Sequence, residues 1–263
     1  GMSVDVIEGY LPIEEVVLGT SGRDAQIEEL SQLLVSMGTC GVKVLCYNWM
    51  GLTDWTRTSK TTPGRGGALC TEFDRAQAES LGPIEVTQVD AETLWTNLEY
   101  FLERIVPVAE QAGVALAMHP DDPPLSPLRG VERIMTHPDA FERAVQMVPS
   151  KANGICFCQG NFTAMGVDIP ATIRRLGEHI RFVHLRDVRG TPDHFVETFH
   201  DEGPTDMFEA MHAYQETGFD GVMRPDHVPV LAGESGEAGY TIMGRLFAVG
   251  YMRGLMEAAA KVP

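Results

Sequence analysis

Short apolar runs alternate with amphipathic repeats along the whole chain. Runs rich in β-branched and aromatic residues predict seven strands, at positions 4–9, 42–47, 114–118, 154–158, 180–185, 194–199 and 221–223. Apolar residues at helical spacing predict helices at 21–37, 91–112, 138–148, 169–176, 206–217 and 244–260. Strands that alternate with helices indicate a parallel sheet covered on both faces. One unbroken alternation over 263 residues favours a single TIM-barrel-like (β/α)₈ domain, 1–263, for which about 250 residues is typical.

The segment 58–89 interrupts this alternation. It is rich in Gly, Pro and Thr and matches no strand–helix unit. Long segments of this kind are usually functional, so we expect it to act as a lid over a site. No glycine-rich phosphate-binding pattern follows any predicted strand, and nucleotide binding therefore has no local support.

The charge balance narrows the range of partners. Lys and Arg number 20 against 37 Asp and Glu, which gives a net charge of −17. Nucleic acid and anionic membrane surfaces both attract clustered Lys and Arg, so we expect neither as a partner. No apolar run reaches the roughly 20 residues of a membrane span. The five cysteines, an odd number without a signal-like start, favour a reducing cytoplasm over a disulfide framework.

Four polar residues fall at or just after the ends of predicted strands: His119, Cys158, His184 and Asp226. In a parallel barrel these ends meet at one face, where active sites are built. Two imidazoles, a thiol and a carboxylate there predict a divalent-metal site. Because a thiolate is a soft ligand, the set suits Mn²⁺, Fe²⁺, Co²⁺ or Zn²⁺ better than Mg²⁺ or Ca²⁺. Each residue taken singly is also interpretable as a packed side chain, so the metal hypothesis depends on all four converging.

Charged residues close to these strand ends suggest further roles. Asp121 and Asp122 directly follow His119, and they either orient that imidazole by a hydrogen bond or cap a Pro-rich turn. Arg57 and Arg224 are candidates for gripping a substrate carboxylate, which a guanidinium can do with two parallel hydrogen bonds. The alternative for each arginine is an ordinary salt bridge.

Seven segments resemble the D-mannonate dehydratase family, in the family's order: YNWM at 47–50, DWTRT at 54–58, HPDDPP at 119–124, FCQG at 157–160, FVHLR at 182–186, RPDH at 224–227, and GY at 239–240 followed by GR at 244–245. They cover nearly the whole chain, and RPDH and HPDDPP are the most specific. The resemblance implies a xylose-isomerase-like barrel with a divalent metal, usually Mn²⁺. It also implies dehydration of D-mannonate to 2-keto-3-deoxy-D-gluconate in hexuronate catabolism.

Matched motif by motif, the resemblance assigns roles to individual residues. It implies that the metal ligands are the four strand-end residues already named, His119, Cys158, His184 and Asp226. It also implies a catalytic group of Arg224, His227 and Tyr240. We expect a substrate-binding group of Asn48, Arg57 and Arg186, which lie in the matching motifs.

The chemistry of dehydration agrees with these residue types. The reaction removes the proton next to a carboxylate and expels the neighbouring hydroxyl, so it needs electrostatic stabilisation, a base and an acid. Arg224 adds positive charge, and His227 and Tyr240 are candidates for the base and the acid. A histidine titrates near neutral pH, whereas a tyrosine beside a metal and an arginine competes through a lowered pKa. Which of the two is the base stays open at this point.

The chain also departs from the family. Family members have a further strand–helix unit before the segment that matches 4–9, so we expect an incomplete barrel that lacks the first unit and is open beside its first strand. Proteins usually cover an exposed strand edge, so we expect a homo-oligomer. Two alternatives to a dehydratase therefore remain. One is a xylose-isomerase-like sugar isomerase or epimerase, and the other is a catalytically impaired homologue that binds a sugar acid.

Overall fold

The computed structural model describes residues 1–9, 11–50 and 53–262. Its strands are β1 (Val6–Glu8), β2 (Val44–Asn48), β3 (Ser59–Pro63), β4 (Leu69–Asp74), β5 (Ala115–His119), β6 (Asn153–Cys158), β7 (Ile180–Leu185), β8 (Val188–Thr191), β9 (His194–Glu197) and β10 (Val222–Pro225). Its α-helices are α1 (Glu14–Leu18), α2 (Arg23–Thr39), α3 (Arg75–Ser80), α4 (Ala91–Ala112), α5 (Pro138–Met147), α6 (Gln159–Ala164), α7 (Ile169–Leu176), α8 (Met207–Glu216) and α9 (Ile242–Ala259). Single turns of 3₁₀ helix lie at Arg65–Gly67 and Gly177–His179.

Six strands form a curled parallel sheet in the order β1-β2-β5-β6-β7-β10. All neighbours in this order pair in parallel. Helices occupy each crossover, as the chain must travel back along the sheet before it can start another parallel strand. The α/β barrel-like architecture predicted from the sequence is therefore confirmed, and the barrel is incomplete, with β1 and β10 at the two edges of the described sheet.

One predicted barrel strand is wrong. The run at 194–199 forms β9, which pairs antiparallel with β8 and β4 in a separate four-stranded sheet of order β3-β4-β9-β8. The physical reason is the connection: only Pro192 and Asp193 separate β8 from β9, and so short a link allows a hairpin but no parallel crossover. The parallel sheet thus has six strands among the described residues, where the sequence predicted seven.

The segment 58–89 is more regular than the sequence suggested. It supplies the β3–β4 hairpin and the short helix α3, whose first turn is capped by Asp74 accepting a hydrogen bond from Gln77 N. Together with β8 and β9 it builds the second sheet. This sheet brings Glu197, at the end of β9, close to the carboxyl ends of the barrel strands. The expected function as a lid stays a prediction.

The long helix α4 shows how the sequence specifies the outer layer. The Asp90 carboxylate accepts a hydrogen bond from Thr93 N at 2.7 Å, and Gly113 ends the helix in the left-handed conformation that favours glycine. Pro107 lies inside the helix, which continues past it to Ala112. Its buried face is the apolar stripe of the sequence pattern, including Leu94, Leu98, Phe101, Leu102 and Ile105. These side chains belong to the main core between helices and sheet.

The interior of the curled sheet holds a smaller apolar cluster of Cys46, Ala117, Cys156 and Phe182. Cys156, two residues before Cys158 on the same strand, is packed in this cluster. Across the opening of the sheet, Glu8 of β1 and Arg224 of β10 form an ion pair of 2.9 Å. Within the described residues no helix is long and apolar enough to cross a membrane.

Candidate active site

A cavity of about 250 Å³ lies at the carboxyl ends of the parallel strands. The strand register brings polar side chains to the same level there, because Asn48 is opposite His119 on β2 and β5, and His184 on β7 is opposite both Cys158 and Arg224. Further wall residues come from other segments, namely Glu8, Asp54, Trp55, Asp122, Asp226, His227 and Tyr240. The convergence of strand ends that the sequence predicted is therefore present.

The four predicted metal ligands lie together. The candidate ligand atoms of His119, Cys158 and His184 are all within 4.8 Å of one another. Asp226, one residue beyond β10, places Oδ2 3.5 Å from His184 Nδ1. Cys158, His184 and Asp226 are buried, and His119 is half-buried at the cavity wall.

The hydrogen bonds around the two imidazoles fit a bound cation. His119 Nδ1 lies 2.7 Å from the Pro120 carbonyl oxygen, which can only accept, so Nδ1 carries the proton and Nε2 keeps a free lone pair. His184 Nε2 contacts Glu8 Oε2 at 3.2 Å, while its buried Nδ1 has no hydrogen-bond partner. An unpaired buried nitrogen is costly unless something else satisfies it. A divalent cation among these residues would do so.

Of the two interpretations left open for Asp121 and Asp122, the structure excludes one. Asp121 and Asp122 do not orient His119, because the partner of its imidazole is the Pro120 carbonyl. Asp121 accepts a hydrogen bond from Met135 N at 2.7 Å, and Asp122 is held by two arginines, as described below. Asp121 therefore has a structural role, although the backbone group it binds is 14 residues away and not in the Pro-rich turn that the alternative interpretation proposed.

A second set of potential ligands, Cys46, Cys156 and His184, shares the same imidazole. Burial raises the pKa of the Cys46 thiol to about 11 and the pKa of the Cys156 thiol well above its usual value. Since only a thiolate is an effective ligand, these two sulfurs are poor candidates. Cys158 differs because a positive charge lies beside its sulfur, to which Arg186 Nε donates at 3.2 Å. The set that contains Cys158 is therefore the better cation site.

The three predicted catalytic residues all line the cavity. The His227 ring lies 4.9 Å from the Trp55 ring and 5.6 Å from the Tyr240 ring, measured between centroids. His227 has a φ of 45°, a strained backbone conformation for a residue with a side chain, and such strain is often found at functional sites. Burial raises the pKa of Tyr240, and Asp226 raises it further. The phenol therefore holds its proton at neutral pH.

Arg224 faces the cavity with part of its charge unengaged. One terminal nitrogen, Nη2, contacts Glu8 Oε2 at 2.9 Å and Asp226 Oδ1 at 3.0 Å. Its Nε is buried and has no partner. With a third of the side chain exposed, the guanidinium is in position to meet an anionic ligand.

Arg57 and Arg186 are placed differently from the substrate contact expected of them. Both guanidinium groups are buried behind the cavity wall, where each contacts Asp122 and Glu197. Arg57 contacts them at 2.6 and 2.7 Å, and Arg186 contacts Asp122 at 2.9 Å. Burial alone would raise the pKa of Glu197, but Arg186, His227 and Arg57 lower it to about 2. We call these four charged residues the buried network.

The sequence interpretation missed several residues of the site. Glu8 contacts both His184 and Arg224, and it follows the same strand-end rule that found the ligands. Glu197 contacts His227 Nδ1 at 3.0 Å. Asn161 contacts the Cys158 sulfur at 2.9 Å and also Arg186. Nothing local in the sequence marks Glu197, because its partner His227 is 30 residues away along the chain. Asn161 lies three residues after Cys158, and this spacing is a signal that could have marked it.

Fold and site together define a barrel of the xylose-isomerase-like type. A D-tagatose 3-epimerase-like protein has this fold with a TM-score of 0.62 and 16% identity, over 97% of this chain and 78% of that one. The family model for D-mannonate dehydratase matches residues 1–88 and 84–263, and the chain belongs to that family.

Individual relatives agree with this assignment. The chain is 33% identical to a mannonate dehydratase of Oceanobacillus iheyensis, over 98% of this chain and 81% of the relative. It is 35% identical to a mannonate dehydratase of Thermotoga petrophila, over 100% of this chain and 83% of the relative. The crystal structure of mannonate dehydratase from Streptococcus suis superposes with a TM-score of 0.90 at 32% identity, covering 98% of this chain and 78% of that one. The resemblance found in the motifs is confirmed.

Proposed function

We propose that this protein is a hydro-lyase that dehydrates D-mannonate to 2-keto-3-deoxy-D-gluconate and water. The observation that carries the proposal is the convergence, around one cavity, of a cation-binding set with an arginine, a histidine and a tyrosine. A dehydration next to a carboxylate needs these parts: positive charge for the carboxylate, a base and an acid.

We assign the cation to His119, Cys158, His184 and Asp226, with Mn²⁺ as the expected metal and Fe²⁺, Co²⁺ or Zn²⁺ as alternatives. A divalent cation bound there supplies Lewis-acid stabilisation of negative charge on the substrate. Arg224 lines the same cavity with a third of its side chain exposed, and it adds positive charge for a substrate carboxylate. Asn48, also on the cavity wall, is proposed to contact a substrate hydroxyl.

The two proton transfers are assigned to His227 and Tyr240. We assign the His227 proton to Nδ1, which donates it to Glu197 at 3.0 Å, so the Nε2 lone pair is available as a base for the substrate α proton. Arg57 Nη2, 2.9 Å from the same nitrogen, can only donate, and in this assignment it donates to Asp122 and Glu197. Tyr240 keeps its phenolic proton at neutral pH and is therefore suited to protonate the departing hydroxyl. In this assignment Glu197 holds the imidazole in the productive tautomer.

Arg57 and Arg186 are proposed to act through the residues they hold. Arg57 Nη2 donates to Glu197, which in turn accepts from His227 Nδ1, and Arg186 contacts the Cys158 sulfur. Both also neutralise Asp122 and Glu197. Their proposed role is to fix the base and the thiolate ligand, and the substrate contact predicted from the sequence is left to Asn48 and Arg224.

Location and assembly are also proposed from the earlier expectations. All five cysteines are free thiols, which suits the reducing cytoplasm. A homo-oligomer stays a prediction, and the apolar side chains exposed along α9, including Ile242 and Leu246, provide a surface for it.

The test is to incubate Mn²⁺-loaded protein with D-mannonate in deuterated water and follow the reaction by proton NMR. A dehydratase forms the 2-keto-3-deoxy acid. Deuterium exchange without loss of water would indicate an isomerase or epimerase instead, and binding without exchange would indicate a sugar-acid-binding protein. Absence of product from D-mannonate and from its epimers would overturn the proposal.

Two variants test the assigned proton transfers. His227→Ala should lower kcat by about 10²- to 10⁴-fold and abolish deuterium exchange at the α carbon. Tyr240→Phe should lower product formation by a similar factor while exchange at the α carbon continues. His194→Ala and Tyr100→Phe, both outside the cavity, are the matched controls and should stay near the wild-type rate. Exchange that persists in His227→Ala would contradict its assignment as the base.

A further inference from the structure

We propose that Glu8 is a positioning residue of this site, which fixes the imidazole of His184 for the cation and holds Arg224 for the substrate. The inference rests on the proposed function, since it assigns Glu8 a role toward the same cation and the same anionic substrate. The observation behind it is that one carboxylate oxygen, Glu8 Oε2, contacts both His184 and Arg224.

Glu8 is placed at the opening of the curled sheet. It ends β1, where it pairs with Cys46 of β2, and its side chain lines the cavity with a quarter of its surface exposed. His184 belongs to β7 and Arg224 to β10, on the other side of the barrel interior. The carboxylate of Glu8 therefore reaches across the gap between the two edges of the sheet.

The contact with His184 selects one imidazole tautomer. Ionised Glu8 can only accept a hydrogen bond, so the contact of 3.2 Å puts the proton on His184 Nε2. Nδ1 then has the lone pair, and it is the nitrogen that is buried, without a partner and 3.5 Å from Asp226 Oδ2. A carboxylate that accepts from the far nitrogen of a ligand histidine fixes its orientation and makes it a stronger donor to a metal.

The contact with Arg224 fixes the direction of a flexible side chain. Glu8 and Asp226 both contact Nη2 of this guanidinium, and a third of the side chain stays exposed at the cavity wall. Without Glu8, Arg224 would keep one carboxylate partner at that nitrogen, and its long side chain would recover rotational freedom. A substrate carboxylate would then have to bind a less ordered guanidinium group.

An ordinary exposed salt bridge would contribute little to holding these side chains. The contacts of Glu8 differ from such a salt bridge because one of its partners is buried. His184 is almost fully buried, and Asp226 is buried beside it. The carboxylate of Glu8 is thus shielded on the side where it meets the imidazole. Its contacts serve the wall of the cavity and no other described part of the fold.

The first experiment measures metal affinity without turnover. Mn²⁺ is titrated into the metal-free wild type, Glu8→Gln and Glu8→Ala, and the free ion is measured by electron paramagnetic resonance. We expect the Kd for Mn²⁺ to rise about 10-fold in Glu8→Gln, which keeps the shape of the side chain and loses its charge, and up to about 100-fold in Glu8→Ala. Glu99→Gln, which removes the same charge from the exposed face of α4, should leave the Kd unchanged. A wild-type Kd in both Glu8 variants would overturn the role toward His184.

The second experiment measures D-mannonate turnover at saturating Mn²⁺, so that weaker metal binding no longer contributes. Glu8→Gln should raise KM by about 10-fold with a smaller change in kcat, because Arg224 is less well held. Glu8→Asp should not restore KM, since the shorter side chain cannot reach both partners. An unchanged KM in Glu8→Gln would overturn the role toward Arg224.

The two experiments separate failure of this inference from failure of the proposed function. If the wild type forms no product from any hexonate but the Kd for Mn²⁺ still rises in the Glu8 variants, the reaction is wrong and the positioning of His184 stands. If the wild type dehydrates D-mannonate and the Glu8 variants match it in Kd and KM, the reaction stands and the role of Glu8 is wrong.

Discussion

Two neighbouring groups of charged residues lie in this protein, and they differ in how far positive and negative charges balance within each group. The buried network sets two arginines, Arg57 and Arg186, against two carboxylates, Asp122 and Glu197. The cavity group sets Glu8 and Asp226 against Arg224, with a longer contact of 3.7 Å from Arg186 to Asp226, and adds the Cys158 thiol and two imidazoles. The first group neutralises itself, whereas the second is short of positive charge and suits a cation.

The difference shows that an arginine in a family motif is not by itself a substrate contact. Arg57 and Arg224 lie in equally specific motifs, yet Arg57 has a fully buried side chain and Arg224 is a third exposed. The burial of the buried network makes it a scaffold for the catalytic side chains. The cavity group keeps an unpaired nitrogen on His184, where a cation would bind, and a partly exposed guanidinium on Arg224, where an anionic substrate would bind.

Removing the metal should have the largest effect on activity, because all four proposed cation ligands belong to the cavity group. We expect dialysis against a strong chelator to lower kcat by on the order of a thousandfold or more, because a cation contributes several kcal/mol of charge stabilisation in such reactions. Added Mn²⁺ should restore the rate, while circular dichroism shows the metal-free protein still folded. Full turnover with less than about a tenth of an equivalent of transition metal would contradict the assigned site.

Replacing an arginine in each group should separate stability from activity. Arg186→Met should lower the free energy of unfolding by about 3–5 kcal/mol, because it leaves buried carboxylates short of a partner. Arg224→Met should change it by less than about 1 kcal/mol, since that side chain is partly exposed, but should lower kcat/KM by about 10²-fold or more. Urea denaturation of the metal-free proteins checks the first quantity. Equal destabilisation by both substitutions would remove the distinction between the two groups.

The sequence predicted the cavity group far better than the buried network. Strand ends can be located from short apolar runs, and parallel pairing brings those ends to one face. That rule was enough to find His119, Cys158 and His184, and applied to the end of β1 it would also have found Glu8. The same pattern failed at 194–199, where the length of a connection decides between a hairpin and a barrel strand.

The buried network could not be predicted, because its pairs are distant in sequence. Arg57 is 65 residues from Asp122 and 140 residues from Glu197. No local pattern tells whether an arginine will meet solvent, substrate or a carboxylate from another sheet. The second sheet brings Glu197 to this place, and the segment 58–89 gave no periodic signal strong enough to predict that sheet.

The loss of folding stability at acidic pH should depend on the buried network, and this is the smallest of the expected effects. The folded-state pKa values of Asp122 and Glu197 are lowered, that of Glu197 to about 2, because the arginines outweigh the cost of burial. A carboxylate with a lowered pKa contributes stability that is complete above its unfolded pKa and is lost as pH falls toward the folded value. Between about pH 4 and about pH 3, each such group should therefore lower the free energy of unfolding by about 1.4 kcal/mol per pH unit.

Glu197→Gln removes one of these two carboxylates, so its curve in that pH window should be less steep than the wild-type curve by about 1.4 kcal/mol per pH unit. The slope is the informative quantity, because the substitution also lowers stability at every pH by leaving Arg186 and Arg57 with a weaker partner. The matched control is Glu99→Gln on the exposed face of α4, which should keep the wild-type slope. Urea denaturation of the metal-free proteins at several pH values measures this slope. An unchanged slope in Glu197→Gln would mean that the arginines do not hold this carboxylate ionised, and the buried network would then not be the self-neutralising scaffold that its geometry indicates.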